Sequence, residues 1–412
     1  MNTLGFNIKD LVKVSMEELG QAQEGTSGEV GPEVGTLTVY DIIEMDESRQ
    51  EYEAALSEVE EGERDLDVLQ QSGDDIEKMV VSTEALVANG GMDIQAAHTL
   101  MLRMNRVYTT IGMEHFVAAM PSMESFGGET TRLNASMEAL ADLKQKAAAV
   151  GKAILDQLKK VIEMIANFIG TALKSVGVLE KRAKALVAAA KAKSKAGAKA
   201  EGDMPSYNAG AVAYDGKANA AAVIKGLSEA KSQVSDFLGA AVELQTGFTE
   251  VVLKEFAEGK MYAFGKESEE LAAFNEKING NKKLSFAMIG GVVAEVTEGK
   301  VVVSRKKASV PGDTKVPSLS EIESIGEKAA ELCASLASRK TELNKLKDLV
   351  KQVADKAKGE TGANATKILS WMMGRSLSTV ATRVCNGAYS SASAALAYGE
   401  KALKQYKETE AK

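Results

Sequence analysis

A mainly α fold is predicted here: an acidic helical leader, then long antiparallel helices carrying one β-hairpin insertion. Three observations predict it. Only 5% of the 412 residues are aromatic, alanine is abundant, and five prolines serve the whole length. Such a composition suits long, closely packed helices and not sandwiches or barrels. Apolar residues recur at threes and fours over most of the chain. One segment alone, 283–306, has the β-branched content and turn chemistry of paired strands.

Charge divides the chain near residue 124. Residues 1–124 hold 7 Lys+Arg against 25 Asp+Glu, a net of −18, and the rest holds 43 against 33, a net of +10. Within the leader (1–124) a short helix near 9–22 precedes the Gly-rich loop "GTSGEVGPEVGT". A long helical run then begins near 39, where Met45, Tyr52, Leu56, Val59 and Leu66 form an apolar stripe among acids. Further helices are predicted over 73–88 and 93–117, which makes the leader a small acidic bundle.

The second region, 125–206, is basic. Asn134 is placed to cap a helix running to about 178, with Ile154, Leu158, Val161, Ile165, Phe168 and Val176 on one stripe. Core or partner-facing burial is the favoured reading of that stripe over a membrane-surface one. A Lys/Ala-rich tract, 179–203, follows and fades into a loop. The third region, 207–316, opens with a helix near 216–258 and contains the hairpin 283–306, with "TEGK" as its turn and Gly290-Gly291 as a bend. In the fourth, 317–412, Ser318 and Glu321 have capping-box spacing. Ile322, Ile325, Leu332, Leu336, Leu343, Leu346, Val350 and Val353 keep an a/d rhythm broken once at Arg339. A small-residue helix over about 365–408 completes an antiparallel hairpin.

Several function classes find no support. Cys333 and Cys385 are too few for a disulfide framework and are expected to be reduced and partly buried, as suits intracellular synthesis. The opening "MNTLGFNIKDLVKVS" lacks a signal-peptide pattern. The most apolar stretch, "VIEMIANFIGTAL", is short and interrupted by Glu163 and Asn167, so no membrane span is expected. Two histidines, His98 and His115, both precede residue 124, so the basic body has none for a nucleophilic triad or a histidine-ligated metal. "GKMYAFGKES" has the wrong spacing for a phosphate-binding loop. No catalytic residue, metal ligand or cofactor is assigned, and the chain is read as a non-enzyme. Lys181, Arg182, Lys184, Lys191, Lys193, Lys195 and Lys199 are candidates for non-specific polyanion contact. On residue pattern alone, a solvated helix end is the favoured reading of that tract.

The seam itself is "AMPSMESFGGE", residues 119–129. Pro121 disfavours helix and Gly127-Gly128 loosens the far side, which is the setting in which chains are nicked. Ser122-Met123-Glu124 lies there with Ser125 next. Ser-X-Glu also occurs at five other places, mostly in predicted helices, so the setting carries the argument and not the tripeptide. Glu17 and Glu29 are additional candidates.

"MESFGGETTRLNASMEAL", the amphipathic "LKKVIEMIANFIGTALKSVGVLEKRAKAL" and the C-terminal "YSSASAALAYGEKALKQY" together resemble the internal head proteins of large tailed bacteriophages. The likeness covers roughly 119–200 and the last forty residues, and no family feature matches 207–280 or the hairpin. It implies packing into the prohead beside other head or core proteins, after synthesis in the host cytoplasm. It also implies that a phage maturation protease removes an acidic propeptide after a Glu. Carried over, Glu124 precedes the cut, Ser122 is the small determinant and Ser125 the new N-terminus. The body would then lie near packaged DNA. Two other readings stay open: an effector ejected with the DNA that acts on host membrane or proteins, and a non-phage helical interaction protein with a plain linker at 119–129.

Overall fold

The computed structural model describes residues 39–113, 128–257, 269–306, 309–357 and 377–407. The expected helix near 9–22 and loop 358–366 lie outside them. Helix α1 runs unbroken over Val39–Ala88. The separate helix expected from 73 does not exist, because Gly73 is buried inside α1. The cause is a seam of alternating threes and fours: Met45, Ser48, Tyr52, Ala55, Val59, Gly62, Leu66, Leu69, Gly73, Ile76, Val80, Thr83. That is a heptad rhythm, and a glycine on the contact face lets a partner helix approach closely. Helix α2 (Ile94–Thr110) starts where Asp93 accepts a hydrogen bond from the Ala96 N–H at 2.7 Å. It stops well short of 117, with Gly112 at φ +68° just beyond its last turn.

Helix α3 spans Glu129–Lys195, a rod of about 100 Å. Gly128 is its N-cap residue, and Asn134, the expected cap, lies inside the helix. The Ala/Lys tract does not fade at 178. Both residue types favour helix, so α3 continues to Lys195 before Ala196 caps it. Its stripe is core: Ile154, Leu158, Val161, Ile165, Phe168 and Val176 are at most 3% exposed.

Helices α1 and α3 lie antiparallel in one register. Glu44 meets Lys181, Ser48 meets Ser175, Glu51 meets Lys174, Gly62 faces Val161, Glu84 meets Lys144, and the Met92 N–H reaches Ser136. The two residue numbers of every such pair add to between 223 and 228. Helix α1 is therefore one strand of a coiled coil whose other strand is α3 of the body.

Behind α3 the chain builds the rest of the core. Strand β1 (Lys199–Ala200) and short helix α4 (Ala209–Val212) lead to α5 (Ala220–Ala257) and α6 (Glu269–Asn279). The expected hairpin is present with a strand added: β2 (Phe286–Ala287), β3 (Val292–Thr297) and β4 (Lys300–Arg305) form an antiparallel β2-β3-β4 sheet. Glu298 and Gly299, at φ +51° and +72°, make the tight turn. Gly290 and Gly291, both at φ +75°, supply the expected bend.

Helix α7 (Leu319–Ser338) opens with the expected cap, Ser318 N–H donating to the Glu321 carboxylate at 2.8 Å. The a/d rhythm breaks at Arg339, where α7 ends and α8 (Lys340–Ala357) begins. All eight of its named apolar positions are buried. Helix α9 (Leu377–Leu403) is cut short of 408 because Tyr406–Lys407, strand β5, pairs antiparallel with β1. The Tyr406 hydroxyl donates to the Pro317 carbonyl at 2.9 Å. The end of α9 thus sits at the start of α7, and the two run antiparallel.

By length and composition, α3 is long and apolar enough to cross a membrane; half of that window is buried inside the protein, the profile of a core helix. Cys333 and Cys385 are free thiols, buried more completely than expected, and burial pushes both up to about 12.

Candidate functional site

The most structured meeting of opposite charge is the line where α1 lies on the body. Among the described residues, four ion pairs cross it: Glu44–Lys181 at 3.2 Å, Glu51–Lys174 and Glu84–Lys144 at 2.8 Å, and Glu63–Arg383 at 2.6 Å. In each, the acid belongs to the leader and the base to the body. Three are exposed and flank the apolar seam, as charges at coiled-coil rims do. The fourth differs. The Glu63 carboxylate is 9% exposed; one oxygen accepts from Arg383, and the other has no partner among the described residues. Burial raises its pKa, and Arg383 offsets that only in part. Burial likewise raises Asp67 and Asp74.

Tyr52 is the anchor between these pairs. Its ring stacks on Tyr389 of α9 at 4.0 Å between centroids and lies 5.3 Å from Phe168 of α3. Its hydroxyl donates to Asn386 at 3.3 Å. Ten residues on, Gly62 fits against α3 with no room to spare: a Cβ there would lie 2.7 Å from the Met164 sulfur and 3.1 Å from Val161. Ser48 and Ser175, both buried, bond to each other at 2.8 Å.

The structure does not gather the seven candidate polyanion contacts into one free cationic face. Lys181 pairs with Glu44, Lys184 with Glu180 of its own helix, and Lys191 with Glu323 at 3.0 Å. Arg182 holds Glu400 through two bonds of 2.6 and 2.7 Å, with both side chains 19% exposed. Burial opposes the charge on Arg182, yet the Glu400 carboxylate more than compensates and its pKa is raised. Lys193 donates to the Tyr406 carbonyl at 2.6 Å, tying α3 to β5. Lys195 and Lys199 are exposed and make no ion pair with another described residue; Lys199 lies in β1, beyond the helix.

Ser122, Met123, Glu124 and Ser125 lie outside the described residues, as do Glu17, Glu29, His115 and "GKMYAFGKES". His98 is exposed on α2. Among the described residues no group of three or more His, Cys, Asp or Glu side chains is arranged to hold a metal. Residue-by-residue reading missed the leader–body seam itself. Its signal was present in the heptads of α1 and α3, but glycines and serines at contact positions interrupt the apolar stripe.

No curated protein and no solved structure matches the chain significantly. A family model does, over residues 54–407, that is from within α1, two residues after Tyr52, through β5. The match crosses residue 124 without a break, so most of α1 and all of α2 are as much part of the family pattern as the body. On this match the chain belongs to the phiKZ-like phage internal head proteins, structural proteins of the virion interior.

Proposed function

We propose that this head protein is made in the host cytoplasm with its acidic leader attached, packed into the prohead among other head or core proteins, and cut after Glu124 by the phage maturation protease. The leader masks cations until then, and the body ends beside packaged DNA. The chain acts in this as a substrate and a structural component, not as an enzyme. The observation that carries the reading is the direction of the four seam ion pairs, every one from a leader acid to a body base. Loss of the leader would leave Lys144, Lys174, Lys181 and Arg383 without their carboxylate partners and shift the chain from −8 to +10. Cations so exposed bind phosphate backbones without sequence preference and with strong salt dependence.

Mass spectrometry of mature particles tests this directly. A body beginning at Ser125 is the expected result. An abundant tryptic peptide 107–132, which spans the 124–125 bond intact, would refute it. The effector reading rests on one specific observation, the membrane-length apolar window of α3. Liposome binding by the matured body, absent from the full chain, would favour it.

A further inference from the structure

We infer that a cut after Glu124 does not by itself release the leader: its helices stay docked on α3 and α9 as a second polypeptide, and maturation has a separate release step. The inference rests on the proposed cut. What holds the leader, however, is the seam and not the peptide bond that would be broken.

In sequence, the bond at 124–125 falls between the end of α2 at Thr110 and the start of α3 at Glu129. Breaking it removes none of the contacts of α1 with the described residues of α3 and α9. The seam keeps one register from Glu44–Lys181 to Glu84–Lys144, about 60 Å of helix. Its anchor, Tyr52, is 1% exposed and wedged between aromatic rings from two different body helices. Buried aromatic anchors of this type dominate the energetics of interfaces between separate chains. Val59, Leu66 and Ile76 continue the buried row, each at most 1% exposed. Past α1, the Met92 N–H donates to the buried Ser136 hydroxyl at 2.7 Å, so the register holds to within one helical turn of the α2 start.

Cutting changes one term only. The leader passes from a tethered segment at high effective concentration to a free ligand, and the contacts of α1 with the body are otherwise unchanged. The four cations of the seam therefore stay paired after the cut. They become available to a polyanion only when α1 leaves, through further cuts within it or through competition for the same cations.

The test uses the full chain with residues 120–127 replaced by the recognition sequence of a site-specific protease. After complete cutting at low micromolar concentration and physiological salt, size exclusion and native mass spectrometry should show one species holding both fragments. A leader that elutes alone overturns the inference, whether the body stays soluble or precipitates. A second chain adds Tyr52→Ala and Gly62→Leu, which remove the anchor and wedge the seam. Uncut, it should keep its far-UV helix signal; cut, it should lose the leader, with Kd raised at least about 100-fold. Retention as firm as in the unaltered seam would also overturn the inference. The engineered cut is independent of the phage protease. An intact 107–132 peptide in particles would sink the maturation reading and leave this result standing.

Discussion

Helices α1 and α9 both press on α3, and they do so in opposite ways. α1 touches the body along one seam, and its other faces carry acid: 16 Asp+Glu against 3 Lys+Arg over Val39–Ala88. α9 is buried at 17 of its 27 positions, by alanine, serine and glycine as much as by large side chains, and only one stripe, through Thr379, Arg383, Asn386, Ser390, Ala397 and Glu400, is less buried. Gly387 lies against Val292 and Met288, and Gly399 against Leu186, with no space for a Cβ without movement. A helix buried over most of its circumference belongs to the core; a helix with one apolar stripe is a cover. The family pattern includes both. The comparison teaches that covalent membership in the leader and structural membership in the core are different properties, and α1 has the first with only part of the second.

Leu396→Ala in α9 should break the comparison most severely. The side chain is fully buried, and a truncation of this kind costs about 2–5 kcal/mol. Because α9 contacts most of the body, the whole molecule should lose stability in one transition, seen as a lowered Tm by calorimetry. Tyr52→Ala should cost about 3 kcal/mol or somewhat more but act locally. Hydrogen exchange should rise in α1 and α2 while α7, α8 and α9 keep their protection. If both variants lower protection everywhere alike, α1 is no cover and the distinction fails.

How much of this could be read from the residues alone follows from the range of each interaction. The Ser318–Glu321 cap, the break at Arg339 and the "TEGK" turn are set within a few residues, and each was legible. The stripe on α3 was legible as well, because its apolar periodicity does not depend on which helix covers it. The identity of the cover was not. Ser48, Gly62 and Gly73 carry no hydropathy signal, so the seam of α1 read as fragments and Gly73 read as a helix boundary. Pairing across 200 residues, as in Arg182–Glu400 or β1 with β5, leaves no local trace at all. Thus the basic tract read as a solvated helix end with candidate polyanion contacts, when most of its cations already hold carboxylates or a carbonyl.

A smaller effect, with an unusual sign, is expected from pH. Glu63, Asp67 and Asp74 all sit on α1, and burial raises the pKa of each. Arg383 and Lys300 pull in the other direction near Glu63 and Asp67, while Glu60 and Asp67 add to the rise at Glu63. The folded state therefore holds these protons more tightly than the unfolded one. The stability this supplies is complete below the unfolded carboxylate range and is lost as pH rises through the folded values. Acidification from pH 7 toward the carboxylate range should accordingly tighten α1, not loosen it, as followed by hydrogen exchange or Tm. Glu63→Gln should flatten that dependence, and an unchanged slope would assign it to other groups.

The smallest expected effect concerns the charges that make the seam visible. Glu44–Lys181, Glu51–Lys174 and Glu84–Lys144 are each roughly half exposed on both sides. Exposed pairs of this kind contribute little singly, because water solvates both partners and holding two long side chains has an entropic cost. Lys174→Ala should therefore shift Tm by at most about a degree or two. Reversing all three bases to Glu places like charges along the whole rim, and the loss should then be clear at low salt and fade as the Debye length falls below about 10 Å. Leader docking that withstands the triple reversal at low salt would show that the apolar row holds α1 and that the charges serve another purpose. That purpose is the one proposed for them, since cations that add little to docking can be surrendered to DNA at little cost.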